Sequence, residues 1–359
     1  MHTKITKDAF KGQEVFVGMD VHKRDFKVTV IVGGMFYKTI TCPPDSKAVA
    51  TYLEKNFPGA TYHSAYEAGF SGFWLHKDLL QLGIDSIVVN TADIPTTDKE
   101  RRQKEDRRDS RKLAKDLQAG QLKGIYVPDD RALDNRSMLR VRESIVREIR
   151  RCKQRIKSFL SFYGIRLPDE YAEARKHWSR AFIQWIESIP FAHETASKAL
   201  RIHIDSLKYH RNQLLQLTRH IRKLSRSDEY KGAVEKLITV PGFGMLTSMY
   251  ILTELVEITR FQNFHHLCSY VGFVPGTHST GDRDRTTGIT PRRNHRLRTA
   301  LIESAWTAIR CDPALMRAFL KYTNRMEKNK AIVRIAKKLL NRAVHTLRSN
   351  EKYAKGIVK

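Results

Sequence analysis

Apolar residues recur along this chain with two different periods, and the change between them divides it. The first stretch places short apolar runs between turn residues. Val15-Phe16-Val17-Gly18-Met19 and Phe26 to Val32 are rich in Val and Phe, and Gly33-Gly34 predicts a hairpin turn before a third strand over 36–42. Pro43-Pro44-Asp45-Ser46 breaks that strand and caps a helix over 47–56. A strand over 61–67, a helix over 71–82 and a strand over 86–90 follow, with a further helix starting near Thr97.

Three meandering strands followed by alternating helices and strands is the element order of an RNase H-like α/β domain, here spanning 12–125. The period then becomes helical. Over 130–230, Ile145, Ile149, Cys152, Ile156 and Phe159 stand four and three apart, and Leu200, Leu207, Leu214 and Ile221 recur every seven residues. An antiparallel hairpin within the chain and a coiled coil between chains both satisfy that spacing. The last stretch, 231–350, is expected to be mostly helical around one polar loop. It opens with Val240-Pro241-Gly242-Phe243-Gly244, the form of a helix-hairpin-helix turn, in which Gly242 and Gly244 can offer backbone amides to a phosphate. A plain tight turn is the other reading of those residues. The expected fold class is therefore α/β plus all-α, with a coiled-coil middle.

Charge adds a partner. The 359 residues carry 65 Lys+Arg against 38 Asp+Glu, a formal net charge of +27. A surplus that large, clustered rather than spread, predicts a polyanion. Cys42, Cys152, Cys268 and Cys311 form no Cys-x-x-Cys pair, so neither a zinc site nor a disulfide scaffold is signalled. With neither a signal peptide nor a membrane-spanning run, the expected location is the cytoplasm, at the nucleoid of a prokaryotic cell, with no membrane partner.

Four acids give the first segment its chemistry. Asp20 ends the first apolar run, Glu67 closes the strand over 61–67, and Asp106 and Asp109 lie three apart on one predicted helix face. In the expected sheet, the first strand and the strand after the first helix are parallel neighbours, so Asp20 and Glu67 share an edge. Carboxylates hold hard divalent cations through oxygen, and Arg107, Arg108 and Arg111 can hold phosphates beside them. A second constellation lies between Val274 and Leu301. Ser279 and Thr280 precede Gly281, followed by Arg283, Arg285, Arg292, Arg293, Arg296 and Arg298. A hydroxyl among guanidiniums is suited to attack on a phosphodiester. A solvated Ser/Thr turn is the alternative.

At this point the chain resembles transposases of the insertion sequence one-ten family, the bridge-RNA-guided DEDD recombinases related to Piv-type DNA invertases. The resemblance rests on Gly18-Met19-Asp20-Val21-His22-Lys23, Tyr66-Glu67-Ala68-Gly69 and Asp106-Arg107-Arg108-Asp109-Ser110-Arg111-Lys112-Leu113-Ala114. It continues through Val240 to Gly244, Tyr270-Val271-Gly272-Phe273-Val274-Pro275, Ser279-Thr280-Gly281, Gly288-Ile289-Thr290 and Leu297 to Trp306, in order over nearly the whole chain. It implies a RuvC-like domain with Asp20, Glu67, Asp106 and Asp109 as catalytic metal ligands for Mg²⁺ or Mn²⁺. It also implies a C-terminal transposase domain with a nucleophilic serine and a covalent protein–DNA intermediate. The implied partners are double-stranded DNA (element ends and target), a structured noncoding guide RNA and further copies of the chain, as a dimer or tetramer. The family's serine stands directly before the glycine, where this chain has Thr280. Ser279 is the preferred nucleophile, because a flexible loop could shift by one residue, and Thr280 is the other candidate. A RuvC-like junction nuclease and a non-catalytic architectural protein are the competing functions.

Overall fold

The computed structural model describes residues 9–94, 106–280, 283–289 and 293–354, with side chains described except at 106, 107, 276–280 and 283–289. The chain divides into two compact units, Met1–Val127 and Pro128–Lys359.

The first unit is built on a five-stranded sheet in the order β3-β2-β1-β4-β5, from β1 (Glu14–Val21), β2 (Phe26–Val32), β3 (Met35–Cys42), β4 (Thr61–Glu67) and β5 (Ile84–Val89). The first three strands are antiparallel, and β4 and β5 run parallel to β1. Gly33 and Gly34 have φ of 56° and 81°, as a two-residue hairpin turn that follows sheet twist requires. Helix α1 (Ser46–Asn56) begins at Asp45, whose carboxylate accepts the Lys47 amide. Helix α2 (Trp74–Gln81) starts later than the sequence suggests, because Ser71-Gly72 forms a turn with Gly72 at φ 58°. Val15, Val17, Met19, Val28 and Tyr66 pack on one sheet face with Leu53, Leu75 and Leu79 of these helices. Helix α3 (Asp106–Gln118) covers the other face. The expected helix start near Thr97 lies outside the described residues.

In the second unit, α4 (Asp130–Phe162) and α6 (Glu194–Leu224) lie antiparallel, with α5 (Arg180–Glu187) between them in sequence. Arg142 donates to Thr218, Leu139 meets Ile221, and Ile156 shares a cluster with Leu200 and Ile204. The heptad seam is thus filled from within the chain: Ile149, Cys152 and Ile156 are buried with Leu200 and Leu207. A hydrophobic seam closes on the nearest complementary one, and the chain supplies it.

Five further helices complete the unit: α7 (Lys231–Leu237), α8 (Met245–Leu255), α9 (Phe264–Val271), α10 (His295–Cys311) and α11 (Pro313–Thr323), around a sixth, α12 (Lys328–Ser349). Ile335, Ala336, Leu339, Leu340 and Ala343 of α12 are fully buried among them. The expected polar loop is instead an antiparallel hairpin of β6 (Pro275–Thr280) and β7 (Arg283–Ile289). Its alternation is of polar residues, so the apolar/polar signal that marks a half-buried strand is missing. Among the described residues no helix is long and apolar enough to cross a membrane.

Candidate active site

Gly18 fixes how the sheet and α3 meet. A Cβ there would lie 2.1 Å from the Ser110 carbonyl oxygen and 2.3 Å from the Ala114 nitrogen, so only glycine lets the helix backbone rest on β1. Next to it in the ladder, Thr29 hydrogen-bonds Ser110 at 2.9 Å in a buried contact. At the far end of the sheet, Gln118 approaches Gly34 in the β2–β3 turn. The helix therefore runs against the direction of β1, and its first turn, Asp106 to Asp109, lies toward the carboxyl ends of β1 and β4.

Those ends carry Asp20 and Glu67. Met19 and Tyr66 are register partners in the parallel ladder, and the two acids follow them on the face that α3 covers. Asp20 is 19% exposed and its Oδ2 stands 3.1 Å from His22 Nε2. Glu67 Oε2 accepts a hydrogen bond from Thr91 at 2.8 Å. Asp109 is half-buried, while the Asp106 side chain lies outside the described residues. Among the described residues no three His, Cys, Asp or Glu side chains form a metal-holding group. The donor chemistry nonetheless fits a hard divalent cation: two carboxylates share one level of one sheet face, with a third acid in the helical turn at that end. Of the neighbouring cations, Arg108 and Arg111 are exposed, and the Arg111 guanidinium lies 4.0 Å from the centre of the Phe36 ring. The side chain of Arg107 lies outside the described residues.

The hydroxyls belong to the second unit. Ser279 pairs with Asp284 and Thr280 with Arg283 in the β6–β7 ladder. A one-residue shift between Ser279 and Thr280 would also change these pairings. The side chains of Ser279, Thr280, Arg283 and Arg285, and all of Arg292, lie outside the described residues. Arg293 is exposed. Arg298 is half-buried, its pKa lowered by burial and by Arg293. Arg296 pairs with Glu143 at 2.5 Å and so serves an internal ion pair. Gly242, at φ 82°, presses on α10, where a Cβ would lie 2.2 Å from the Ser304 carbonyl oxygen; Gly244 opens α8 with free space around it. Gly242 is half-buried and Gly244 exposed.

A buried polar network at the base of the hairpin escaped the sequence reading. Glu254, 1% exposed, accepts two hydrogen bonds from Arg140 at 3.0 and 3.1 Å and one from Asn294 at 2.9 Å, with Arg136 Nε 3.7 Å away. Burial alone would raise its pKa, but the hydrogen bonds and charge of Arg140, then Asn294 and Arg136, hold it below the usual carboxylate range. Asn294 also caps α10 by accepting the Leu297 amide, and its own amide donates to the Tyr270 carbonyl. Tyr270 in turn donates from its hydroxyl to the Glu254 carbonyl. Tyr270 precedes the hairpin and Asn294 follows it, so Glu254 meets both flanks, Tyr270 through its main-chain carbonyl and Asn294 through its carboxylate. The available signal was a lone acid near the end of the apolar helix Met245–Leu255, opposite Arg136 and Arg140 four apart.

Two family profiles match the chain, the first reaching across the boundary between the two units into α4. A DEDD transposase profile matches residues 17–165, and a profile described as Transposase IS116/IS110/IS902 family matches residues 234–321. The first takes in Asp20, Glu67, Asp106 and Asp109, the second Gly242, Gly244, Ser279 and Thr280; together they span more than half of the chain. A Sinorhizobium fredii protein named as a transposase is 28% identical over 82% of this chain and 72% of its own length. The transposase for insertion sequence element IS1533 of Leptospira borgpetersenii is 27% identical over 82% of this chain and 85% of its own. The pilin gene-inverting protein of Moraxella bovis is 27% identical over 51% of this chain and 57% of its own. With both profiles matched in chain order, the chain belongs to the IS116/IS110/IS902 family of transposases, enzymes of DNA recombination.

Proposed function

We propose that the first unit is a RuvC-like, RNase H-fold nuclease domain in which Asp20, Glu67, Asp106 and Asp109 hold divalent cations, Mg²⁺ or Mn²⁺. The observation that supports it most is the pair Asp20 and Glu67, level on one face at the ends of two parallel strands, with the first turn of α3 toward that end. Bound there, the cations would neutralise charge on a phosphodiester and on the groups attacking and leaving it. The four carboxylates position them, and His22 and Thr91 orient Asp20 and Glu67 by hydrogen bonds.

The second unit supplies the nucleophile, the hydroxyl of Ser279 or Thr280. Its oxygen bonds to phosphorus while the ester bond to the leaving sugar oxygen breaks. The hydroxyl proton passes to solvent, and the leaving oxygen takes one up. The strand then stays linked to the protein until rejoining. Arg283, Arg285, Arg292, Arg293 and Arg298 serve charge on the DNA, with Arg107, Arg108, Arg111, Gly242 and Gly244 as further phosphate contacts. The double-stranded substrates are element ends and target, chosen by a structured noncoding RNA, and the active assembly is a dimer or tetramer.

Incubation with element-end DNA, the element's RNA and Mg²⁺ should give a protein–DNA adduct that survives denaturation. Free nicks without an adduct would indicate a junction nuclease, and intact DNA an architectural protein. Asp20→Ala, Glu67→Ala, Asp106→Ala and Asp109→Ala should each abolish recombination while leaving the melting temperature nearly unchanged. Wild-type activity from any two of them would remove the metal assignment. Mass spectrometry of the digested adduct should find the phosphorylated residue at 279 or 280, and sequencing of co-purified RNA tests the guide.

A further inference from the structure

The second unit has a cleft of about 340 Å³ lined by Phe264 of α9, Tyr322 of α11, and Arg334, Lys337, Lys338, Asn341 and Arg342 of α12. Among the described residues no acidic side chain lines it. Arg342 is spoken for: it pairs with the buried Asp312 at 2.9 Å and forms a fixed wall. Arg334, Lys337 and Lys338 have no carboxylate partner among the described residues, and α12 itself contains no Asp or Glu. Their spacing puts them on one helix face, where like charges three and four apart repel and weaken the helix. A bound polyanion removes that penalty.

The rings narrow the choice of polyanion. Phe264 and Tyr322 are half-buried beside the cations, and the Arg334 guanidinium lies 5.6 Å from the centre of the Tyr322 ring. A base-paired duplex presents phosphates to such a cleft but keeps its bases stacked inside. An unpaired strand can supply both partners, phosphates to the three cations and a base face to a ring. We infer that this cleft binds a single-stranded segment of nucleic acid, with Arg334, Lys337 and Lys338 on the phosphates and Phe264 and Tyr322 against a base. The site lies outside the acids and hydroxyls of the strand-exchange chemistry, and its occupancy requires neither metal nor covalent attack.

The test uses the full chain, freed of co-purifying nucleic acid, and two fluorescent probes of one mixed sequence, single-stranded and duplex. The triple variant Arg334→Gln, Lys337→Gln, Lys338→Gln should bind the single strand about tenfold or more weakly. The slope of log K against log salt should become shallower by about 2, the value for three lost contacts to single-stranded phosphates. Duplex affinity should fall clearly less, since a duplex offers the cleft phosphates but no base face. A control with the same charge loss, Arg147→Gln, Arg150→Gln, Lys157→Gln on the exposed face of α4, should leave single-strand binding near wild type. Phe264→Leu should weaken single-strand binding without changing the salt slope. Photocrosslinking of an iodouracil-bearing strand should recover peptides containing Phe264 or Tyr322. Equal loss in the two triple variants would reduce the cleft to general surface charge. Equal loss of single-strand and duplex binding would overturn the unpaired-strand assignment. Unchanged binding in the cleft triple, with melting temperature preserved, would overturn the site altogether.

Discussion

The two units hold their chemistry by opposite means. In the first, Asp20 and Glu67 stand at the ends of strands whose positions are set by main-chain ladders and by apolar packing, and the helix bringing Asp109 is seated by the absence of a side chain at Gly18. In the second, the hairpin carrying Ser279 and Thr280 is flanked by Tyr270 and Asn294, which bond the main-chain carbonyl and the carboxylate of the buried Glu254, itself held by Arg136 and Arg140. β1 and β4 are central strands with ladders on both sides, so acids at their ends stand on a rigid frame. A polar two-stranded hairpin is not stable alone, and something at its base has to fix it.

The largest effect should come from removing the charge at that base. Glu254→Gln leaves Arg136 and Arg140 without their buried counter-charge and should destabilise the second unit by about 3–5 kcal/mol, measured by urea unfolding. Glu254→Asp, which keeps the charge, should lose less. The same carboxylate sets a pH dependence. Because its pKa is lowered on folding, its contribution is complete above the unfolded value, about 4.3 for glutamate, and is lost as pH falls through the lower folded value. Wild-type stability should therefore drop below about pH 4 with a component that Glu254→Gln lacks. Identical acid profiles for the two proteins would break the comparison on this side.

On the sheet side the corresponding change is steric. Gly18→Ala puts a methyl group inside the backbone of α3 and should cost about 3 kcal/mol, near the top of the usual overpacking range. Because the helix must move for the methyl group to fit, recombination should fall even where the variant stays folded. A stable, fully active Gly18→Ala protein would mean that the first turn of α3 does not need its observed place. A smaller effect should sharpen the contrast. Asn294→Ala removes the α10 cap and one hydrogen bond to Glu254, costing about 1 kcal/mol. If the network positions the hairpin, adduct formation should slow more than this stability loss explains, while DNA binding persists. Equal losses in stability and rate would make Asn294 a cap and nothing more.

How far the sequence could be read follows the same contrast. β2 and β4 fall at 26–32 and 61–67, where their apolar and aromatic runs place them, and Gly33-Gly34 marks the hairpin because a positive φ is needed at both positions. The heptad residues from Ile145 to Ile221 announced two long helices, yet spacing is blind to whether the opposing seam comes from the same chain. The hairpin over Pro275–Ile289 looks like a loop in the sequence because both strands are polar, which erases the alternation that marks a strand. Glu254 is not legible in the sequence, because a single acid in an apolar helix carries no spacing pattern.

The sequence by itself determined the change from strand to helical period, the basic surplus and the four acids with their family motif, since each is a property of residue type and local order. Tertiary structure decided the rest. Parallel pairing of β1 with β4 brought Asp20 level with Glu67, and the close approach at Gly18 turned the first turn of α3 toward them. The partner of the heptad seam and the convergence of Arg136, Arg140 and Asn294 on Glu254 were likewise decided there. Those outcomes depend on which distant segments come into contact, and contact energies between residues far apart in the chain leave no periodic trace along it.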